Sequence, residues 1–238
     1  MAYLNWIDDD KIITAVKSLL EKADFANLNS SKNFGKNVID PFSAIFEIAG
    51  FGLDYENWIK SETNRQAQKT LQNHVGDFHQ TILGECDGWK NLKTGNVFDL
   101  VSEKYKIIAE VKNKYNTVSG GKLKDLYYSL HDQVMPKNSK YKDYTAYYVA
   151  IIPKKPKRFN IEFTPSDGKS GKKCEPNKLI RYIDGASFYE LVSGRKDALE
   201  ELYNVLPTVI NENSEGKYKI SDPEKLKSFF NIAYLKTK

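Results

Sequence analysis

The spacing of apolar side chains predicts that the first third of the chain is helical. The acidic run Asp8–Asp10 precedes "KIITAVKSLLEKA", in which apolar residues recur on one helical face, and acidic groups favour a helix N-terminus. A loop from Ser30 to Pro41 then leads into a short apolar helix over "FSAIFEIAGF", residues 42–51. A longer helix is predicted from Glu56 to about Ile82.

The pattern changes to a period of two after this helix, which indicates β-strands. The segments Asn96–Ser102 and Tyr105–Lys112 are rich in β-branched and aromatic residues, and only Glu103 and Lys104 separate them, so a hairpin is predicted. After the break at "SGG", a helix is predicted over residues 122–135. The next segment, "YTAYYVAII", is apolar on both faces, so we expect it to be a central strand of the sheet.

The last third of the chain adds strands and helices to this frame. "RFNIEFT" and "KLIRYID" are predicted as strands, and "GASFYELVSG" as a helix that begins with a capping box of Ser187 and Glu190. The order of elements predicts a single α/β (α+β) domain over residues 1–238 with a mixed central sheet. Its core would span about residues 56–152, between an N-terminal helical part (1–55) and a C-terminal extension (153–238).

Composition narrows the class of protein. The 238 residues are 40% hydrophobic and 28% charged, which supplies a core and excludes a disordered chain. No apolar run approaches the roughly 20 residues that a membrane helix needs, and "MAYLNWIDDDKII" lacks the pattern of a signal peptide. Cys86 and Cys174 are far apart, so neither a disulfide framework nor a zinc site is indicated. We therefore expect a soluble, cytoplasmic protein with no membrane partner.

The charge of the chain permits a nucleic-acid partner without requiring one. The formal net charge is +5, and lysine supplies 32 of the 36 basic residues. The lysines cluster in "PKKPKRF" (Pro153–Phe159) and in "DGKSGKK" (Asp167–Lys173). Each cluster is equally consistent with a solvated loop.

A charged pair interrupts the apolar second strand of the predicted hairpin. Triplets of an acid, any residue and lysine occur four times, about as often as chance predicts, but only Glu110 and Lys112 follow an apolar run within a strand. With a two-residue turn, Asp99 would lie opposite Ile108 and would share a face of the sheet with Glu110 and Lys112. A slip of one residue in the register would remove Asp99 from that face.

Two carboxylates and an ammonium group on one face suit metal-dependent phosphate chemistry. Neighbouring carboxylates repel each other unless a cation joins them, and oxygen ligands without histidine or cysteine favour a hard ion such as Mg²⁺. Such an ion activates water, and a nearby lysine can orient that water or neutralise developing charge. The alternative is an ordinary ion pair at the end of a strand.

These residues also carry a resemblance to a known family. Asp99, the ten residues after it and Glu110–Val111–Lys112 resemble the D-(x)n-E-x-K signature of the PD-(D/E)XK nuclease superfamily, with Phe98 where that signature usually has proline. The blocks "KNVIDPFSAIFE", "HVGDFHQTILGECDGW", "GNVFDLVSEKYKIIAEVKNKYNTVSGGK" and "IDGASFYELVSG" are together similar to the small type II restriction endonucleases that cut GGNCC-type sites.

The resemblance implies a restriction-endonuclease-like αββαβ core and Mg²⁺-dependent hydrolysis of double-stranded DNA at a short GGNCC-like site, within a restriction–modification system. It implies that Asp99 and Glu110 bind Mg²⁺, for which Mn²⁺ would substitute, and that Lys112 assists the attacking water. The helix before the hairpin often supplies a further metal-binding acid in this superfamily. Asp77 and Glu85 are the candidates, and either could equally be a solvated helix charge.

The segment after the lysine is expected to face DNA. The expected DNA contacts there are Asn113, Lys114, Asn116, Thr117 and Lys122. Arg181 could read a guanine through a bidentate contact, with an ordinary ion pair as the alternative.

The expected partners follow from a cut in both strands of a nearly palindromic target. One chain carries a single Asp99–Glu110–Lys112 set and no internal repeat, which predicts a homodimer whose two-fold axis matches that of the DNA. A cognate DNA methyltransferase is the expected functional partner. A repair or recombination nuclease of the same fold, or a catalytically inactive DNA-binding module, are the alternatives.

Overall fold

The structure is a computed structural model that describes residues 2–36, 38–93, 95–167 and 171–235. The helices are α1 (Asp9–Asn33), α2 (Pro41–Phe51), α3 (Tyr55–Gly84), α4 (Gly120–Val134), α5 (Gly185–Ser193), α6 (Ala198–Asn213) and α7 (Pro223–Tyr234), with a 3₁₀ turn over Phe34–Lys36. The strands are β1 (Lys90–Asn91), β2 (Leu100–Ser102), β3 (Ile107–Lys114), β4 (Thr145–Ile152), β5 (Asn160–Glu162) and β6 (Ile180–Asp184). Within these ranges, no helix is long and apolar enough to cross a membrane.

The strands form one mixed sheet in the order β1-β2-β3-β4-β6-β5. Strands β3, β4 and β6 are parallel to one another, whereas β1, β2 and β5 run antiparallel to their neighbours. The predicted α/β class with a mixed central sheet is therefore confirmed, and α3, β2, β3, α4 and β4 follow the predicted αββαβ order. The two-residue strand β1 was not predicted, because two residues carry no periodicity.

The chain divides into two compact units. The sheet unit contains the residues up to Val16 and those from Phe78 onward, and the helical unit is Lys17–Asp77. The sheet unit carries all the strands of the described residues, and its helices include α4, α5, α6 and α7. The helical unit contains α2 and most of α1 and α3.

Strand β4 lies at the centre of the sheet, as its sequence predicts. Its residues from Ala146 to Ile151 are all buried, because α4 packs on one face of the sheet and α5 on the other. The face towards α4 forms an apolar cluster that includes Ile108, Tyr148 and Leu130. This cluster fixes which side chains of β3 point towards α4 and which point away, since alternate residues of a strand face opposite sides.

The hairpin differs from the prediction in its turn and register. Ser102 pairs with Ile107 and Leu100 with Ala109, so four residues rather than two form the turn. Lys106, the last of these four residues, has a φ of 53°. A lysine in the sequence does not predict this left-handed conformation. The register is displaced by two residues, and because two is an even number the predicted faces of the strands are kept.

The start of α5 also differs from the prediction. Asp184, not Ser187, is the N-cap, and its carboxylate accepts a hydrogen bond from the Ser187 backbone N–H at 3.0 Å. Ser187 and Glu190 instead bind the guanidinium group of Arg158. The capping-box prediction was wrong because Asp184 ends β6 and begins the helix with no intervening loop.

Candidate active site

Three charged side chains meet on the α4 side of the sheet. Glu110 and Lys112 are alternate residues of β3, so they share a face, and Ile108 of the same face packs in the apolar cluster. Asp99 directly precedes β2, and extending the register by one residue sets it opposite Glu110. The predicted set of Asp99, Glu110 and Lys112 is therefore brought together, although Asp99 faces Glu110 rather than Ile108.

The backbone of the hairpin holds Asp99 in place. The Asp99 N–H donates to the Ala109 carbonyl at 3.0 Å, and its Oδ2 accepts from the Val111 N–H at 2.7 Å. A carboxylate that is oriented by a main-chain N–H keeps its position without relying on a flexible side chain. The carboxyl group of Asp99 also forms a hydrogen bond with the carboxyl group of Glu110.

Glu110 and Lys112 form a partly buried ion pair. Lys112 Nζ lies 2.5 Å from Glu110 Oε1. The side chain of Lys112 is 27% exposed and that of Glu110 is 14% exposed. Burial, followed by the repulsion of Asp99, raises the pKa of Glu110 to about 7, while Lys112 acts in the opposite direction. Burial and the repulsion of Asp99 therefore outweigh the stabilisation that Lys112 gives to the ionised form of Glu110.

Tyr148 was missed by sequence reasoning. It pairs with Glu110 in the register of β3 and β4, which places it on the same face, and its ring stacks on Tyr182 at 4.9 Å. Its hydroxyl is buried and has no hydrogen-bond partner among the described residues, and burial raises its pKa. In "YTAYYVAII" it is indistinguishable from a core aromatic, because only the pairing of the two strands sets it beside Glu110.

Gln80 of α3 is a second residue that the sequence did not reveal. Its Nε2 donates to the Val111 carbonyl at 3.3 Å, so it contacts the backbone between the two charged residues of β3. A glutamine within a long helix carries no local signal for such a contact, which depends on how α3 packs on the sheet.

The two candidates for a further acid have other partners. Glu85 pairs with Lys11 at 2.7 Å. Asp77, in the helical unit, lies 3.1 Å from His74 and 3.8 Å from Lys22. Across the described residues, no group of three or more histidine, cysteine, aspartate or glutamate side chains is arranged to hold a metal ion.

The donor set of the site nevertheless fits a hard cation. Asp99 and Glu110 present carboxylate oxygens on one face, and oxygen atoms are the ligands that Mg²⁺ prefers. Burial, followed by the repulsion of Asp99, raises the pKa of Glu110, and a bound divalent ion would favour the ionised form of both carboxyl groups. Asp99 and Glu110 are therefore the residues that could hold a metal.

Most of the predicted DNA contacts lie beyond Lys112 at one edge of the sheet. Asn113 and Lys114 end β3, Thr117 accepts a hydrogen bond from the Lys114 N–H at 3.2 Å, and Lys122 lies in the first turn of α4. Asn116 belongs to the turn between β3 and α4. The carboxyl ends of parallel strands lie at the same edge of a sheet, so the loop after β4 begins at the edge where β3 ends.

The two lysine clusters and Arg181 differ in position. Lys154, Lys155 and Lys157 of the loop after β4 are exposed. In the second cluster, residues 168–170 lie outside the described residues. Arg181 pairs with Tyr147 across β4 and β6, which puts it on the sheet face opposite Glu110, and its guanidinium group binds the Asn160 side chain at 2.7 Å.

Comparison with known proteins identifies the family. The model of the Eco47II restriction endonuclease family matches residues 4–214. The chain is 49% identical over 239 residues to the type II restriction enzyme Eco47II of Escherichia coli, covering 98% of this chain and 100% of that one. It is 31% identical over 225 residues to the type II restriction enzyme Sau96I of Staphylococcus aureus, covering 90% and 82% respectively. No solved structure matches the chain significantly. The chain therefore belongs to the Eco47II restriction endonuclease family and is a hydrolase that cleaves DNA.

Proposed function

We propose that the chain is a Mg²⁺-dependent type II site-specific deoxyribonuclease that cuts double-stranded DNA at a short, GGNCC-like sequence within a restriction–modification system. The observation that carries this proposal is the meeting of Asp99, Glu110 and Lys112 on one face of the sheet. The relatives are named as type II restriction enzymes, and the site adds the chemistry that such an activity requires.

Asp99 and Glu110 would hold the metal ion. When bound, Mg²⁺ would supply charge neutralisation on the phosphate and lower the pKa of water. The hydrogen bond from the Val111 N–H orients the Asp99 carboxylate without a metal, which would lower the cost of ordering the site. Burial and the neighbouring Asp99 carboxylate raise the pKa of Glu110 to about 7, and a bound cation would favour the ionised form that a metal ligand requires.

Lys112 would act on the reacting groups. Its ammonium group is held at 2.5 Å from Glu110, on the face where the scissile phosphate would lie. A cation in this position stabilises the negative charge that accumulates as water attacks phosphorus, and it can orient that water by donating a hydrogen bond. Because this charge develops in the transition state, the lysine would contribute more to the cleavage rate than to DNA affinity.

The DNA backbone would lie along the carboxyl-terminal edge of the parallel strands. Lys114 ends β3, Lys122 lies in the first turn of α4, and Lys154 and Lys155 follow β4. Exposed lysines that neutralise phosphates release counterions, which makes affinity strongly dependent on salt. Helix α4 begins at Gly120, shortly after Lys114, and the N-terminus of a helix carries a partial positive charge. Arg181, on the opposite face of the sheet, would serve the fold rather than the reading of bases.

Cleavage of matched DNA substrates tests this function. We expect the protein to cut a plasmid with one GGNCC site at a fixed position with Mg²⁺ or Mn²⁺, and to leave a plasmid altered at that site uncut. Ca²⁺ should support binding without rapid cutting, and excess EDTA should stop cleavage. Cutting of the altered plasmid at equal rate would favour a repair or recombination nuclease, and binding without any cutting would favour an inactive module.

The activity also implies partners. Cutting both strands requires two Asp99–Glu110–Lys112 sets, so we propose a homodimer on the DNA. Protection of the host genome requires a DNA methyltransferase that modifies the same sequence. Plasmid DNA that such a methyltransferase has modified should resist the enzyme under conditions that cut unmodified DNA completely.

A further inference from the structure

The second lysine cluster belongs to a short hairpin between β5 and β6 that has no part in the active site described above. Ser166 pairs with Lys173 in an antiparallel bridge, and the Cys174 N–H donates to the Pro165 carbonyl at 2.9 Å. We call residues 165–167 and 171–174 the arm. Pro165 and Cys174 are buried at its base, whereas Lys173 is exposed.

The chain that leads back from the arm follows helix α4. The Tyr127 hydroxyl of α4 donates to the Glu175 carbonyl at 2.7 Å. Asn177 Nδ2 lies 3.4 Å from the sulfur of Met135, which is the C-cap of the helix. Residues 175–177 therefore run from the middle of α4 to its C-terminal end, and the arm lies in the opposite direction.

An ion pair joins the arm to the second turn of α4. Lys124 Nζ lies 2.7 Å from Asp167 Oδ2, and the Asp167 side chain is only 17% exposed. Partly buried charges are screened less by salt than exposed ones, so this pair can hold the arm against the helix. Lys124 lies one turn closer to the start of α4 than Tyr127, which confirms the direction of the arm.

The arm reaches the edge of the sheet at which the catalytic strand ends. Helix α4 connects the parallel strands β3 and β4, so its N-terminal end lies near the carboxyl end of β3. Lys124 is about 6 Å along the helix axis from Gly120, the first residue of α4. Because α4 packs on the sheet face that carries Glu110 and Lys112, the arm and the active site share a face and an edge.

We propose that the arm binds the phosphate backbone of the DNA that the active site cleaves, and that Asp167 is the positioning residue that holds the arm in place through Lys124. Lysine is a common phosphate ligand, and such contacts fix the orientation of a protein on the duplex. The inference rests on the proposed function, because DNA bound at Asp99, Glu110 and Lys112 is what brings phosphates to this edge.

The charge of the segment favours DNA over an acid-binding or apolar role. From Thr164 to Cys174 the sequence contains three lysines and a single acidic residue, Asp167. That acid is paired with Lys124 of α4, so it does not offset the lysines of the arm. A positive arm at an edge where phosphates must pass is complementary to the substrate.

The sign of the effect of Asp167→Asn separates positioning from charge alone. If the arm were only a solvated loop, removal of a negative charge would raise the affinity for DNA or leave it unchanged. Loss of positioning should instead raise the dissociation constant for DNA with one GGNCC site about 5-fold or more, measured by fluorescence anisotropy in Ca²⁺. The single-turnover cleavage rate at saturating DNA should stay within about 2-fold of the parent, because Asp167 does not contact the reacting groups.

Exchange of the two charges provides a rescue. Lys124→Asp/Asp167→Lys keeps the ion pair and the net charge, so its dissociation constant should return to within about 2-fold of the parent. Asp222→Asn is the control for charge alone, since Asp222 pairs with Lys225 of α7. This control should leave DNA affinity unchanged or slightly raised. Circular dichroism and urea denaturation establish that each variant is folded.

A second site on the arm keeps the proposal testable if Asp167→Asn fails to fold. Lys173→Ala alters an exposed side chain, and the slope of log affinity against log salt concentration should fall by about 1, for one phosphate contact. Lys178→Ala is the matched control, because Lys178 is also exposed but adjoins Asn177 at the other end of α4. It should give the slope of the parent.

Three results would each overturn the proposal: an affinity of Asp167→Asn equal to or above that of the parent, no recovery in the exchanged pair, or a parental slope for Lys173→Ala. A lower cleavage rate of Asp167→Asn at saturating DNA with unchanged affinity would also overturn it. The proposed function fails separately. A parent that binds GGNCC DNA without cutting it would refute the nuclease activity and leave the arm, whereas normal cutting with a parental slope for Lys173→Ala would refute only the arm.

Discussion

At the scale of single residues, Lys112 is the group whose removal separates catalysis from binding. We expect Lys112→Ala to reduce single-turnover cleavage by about 10³-fold or more while DNA affinity in Ca²⁺ changes by less than about 10-fold. Lys11→Ala is the control, since it also removes an ion-paired lysine but lies on α1. Cleavage by Lys112→Ala at a rate close to that of the parent would exclude the proposed role.

Glu110 makes the metal-free protein less stable at high pH. Its pKa of about 7 in the folded state lies above its ordinary value of 4.5, so the folded state binds this proton more tightly. The contribution of this tighter proton binding to the free energy of unfolding is fully present below about pH 4.5 and is lost as the pH rises through about 7. Glutamine at position 110 cannot ionise. The free energy of unfolding of Glu110→Gln minus that of the parent should therefore increase by about 1–3 kcal/mol between pH 5 and pH 8.

Urea denaturation in EDTA measures this difference for Glu110→Gln, with Glu103→Gln on the exposed hairpin turn as control. The same Glu110→Gln protein should have lost cleavage, because the amide is a poor metal ligand. A variant that is less stable than the parent at pH 8 would show that the ion pair with Lys112 outweighs burial and the repulsion from Asp99.

Tyr148 carries a buried hydroxyl beside Glu110 and has no hydrogen-bond partner among the described residues. Tyr148→Phe removes only this group, so the free energy of unfolding of the metal-free protein should rise by about 1 kcal/mol. Cleavage should fall about 10-fold if the hydroxyl orients a group bound at Glu110. Tyr147→Phe, on the opposite face of the sheet, is the control. An unchanged cleavage rate for Tyr148→Phe would limit this tyrosine to packing.

The charged residues of the site could be located from the sequence, whereas Tyr148 and Gln80 beside them could not. Glu110 and Lys112 were found because two charges follow an apolar run, and Asp99 because faces alternate along a strand. The register was wrong by two residues, and Asp99 stayed on the right face only because the error was even. Tyr148 and Gln80 were missed because their positions depend on strand pairing and helix packing between distant segments.

At the scale of elements, the junction of β6 and α5 depends on one glycine. A Cβ at Gly185 would collide with the backbone of Ile151 in β4, so the helix can approach the sheet only without a side chain there. Gly185→Ala should lower the free energy of unfolding by about 1–3 kcal/mol. Gly120→Ala in the first turn of α4, where a Cβ meets no atom within 4 Å, should have no destabilising effect. Equal stability of the two variants in urea would contradict this packing.

The elements themselves were largely predictable, and their environments were not. The periodic pattern gave α1, α2, α3 and the central strand β4, because each is long enough to show its period. It could not show that Phe42, Ile45 and Phe46 of α2 are exposed, since the same apolar spacing is found in buried helices. The four-residue turn of the hairpin was not predicted either. Its left-handed residue is Lys106, whereas glycine or asparagine is the usual sequence signal for that conformation.

At the scale of the whole molecule, the placement of lysines matters more than the net charge. The chain has 36 basic and 31 acidic residues, so its small excess of positive charge cannot by itself hold DNA firmly. Basic groups at the carboxyl-terminal edge of the parallel strands would instead act locally, within about one Debye length of 8 Å at physiological salt. Lys154 and Lys155 are suited to this role, since they directly follow β4 and are exposed.

The double variant Lys154→Ala/Lys155→Ala should therefore weaken binding to specific and nonspecific DNA alike. The slope of log affinity against log salt concentration should fall by about 2, one for each phosphate contact, while the cleavage position stays the same. Lys225→Ala/Lys227→Ala is the matched control, because these lysines of α7 pair with Asp222 and Glu224 at the protein surface. Fluorescence anisotropy in Ca²⁺ over a range of salt concentrations measures both slopes. If the two double variants gave the same slope as the parent, the DNA would not run along the edge of the sheet next to β4.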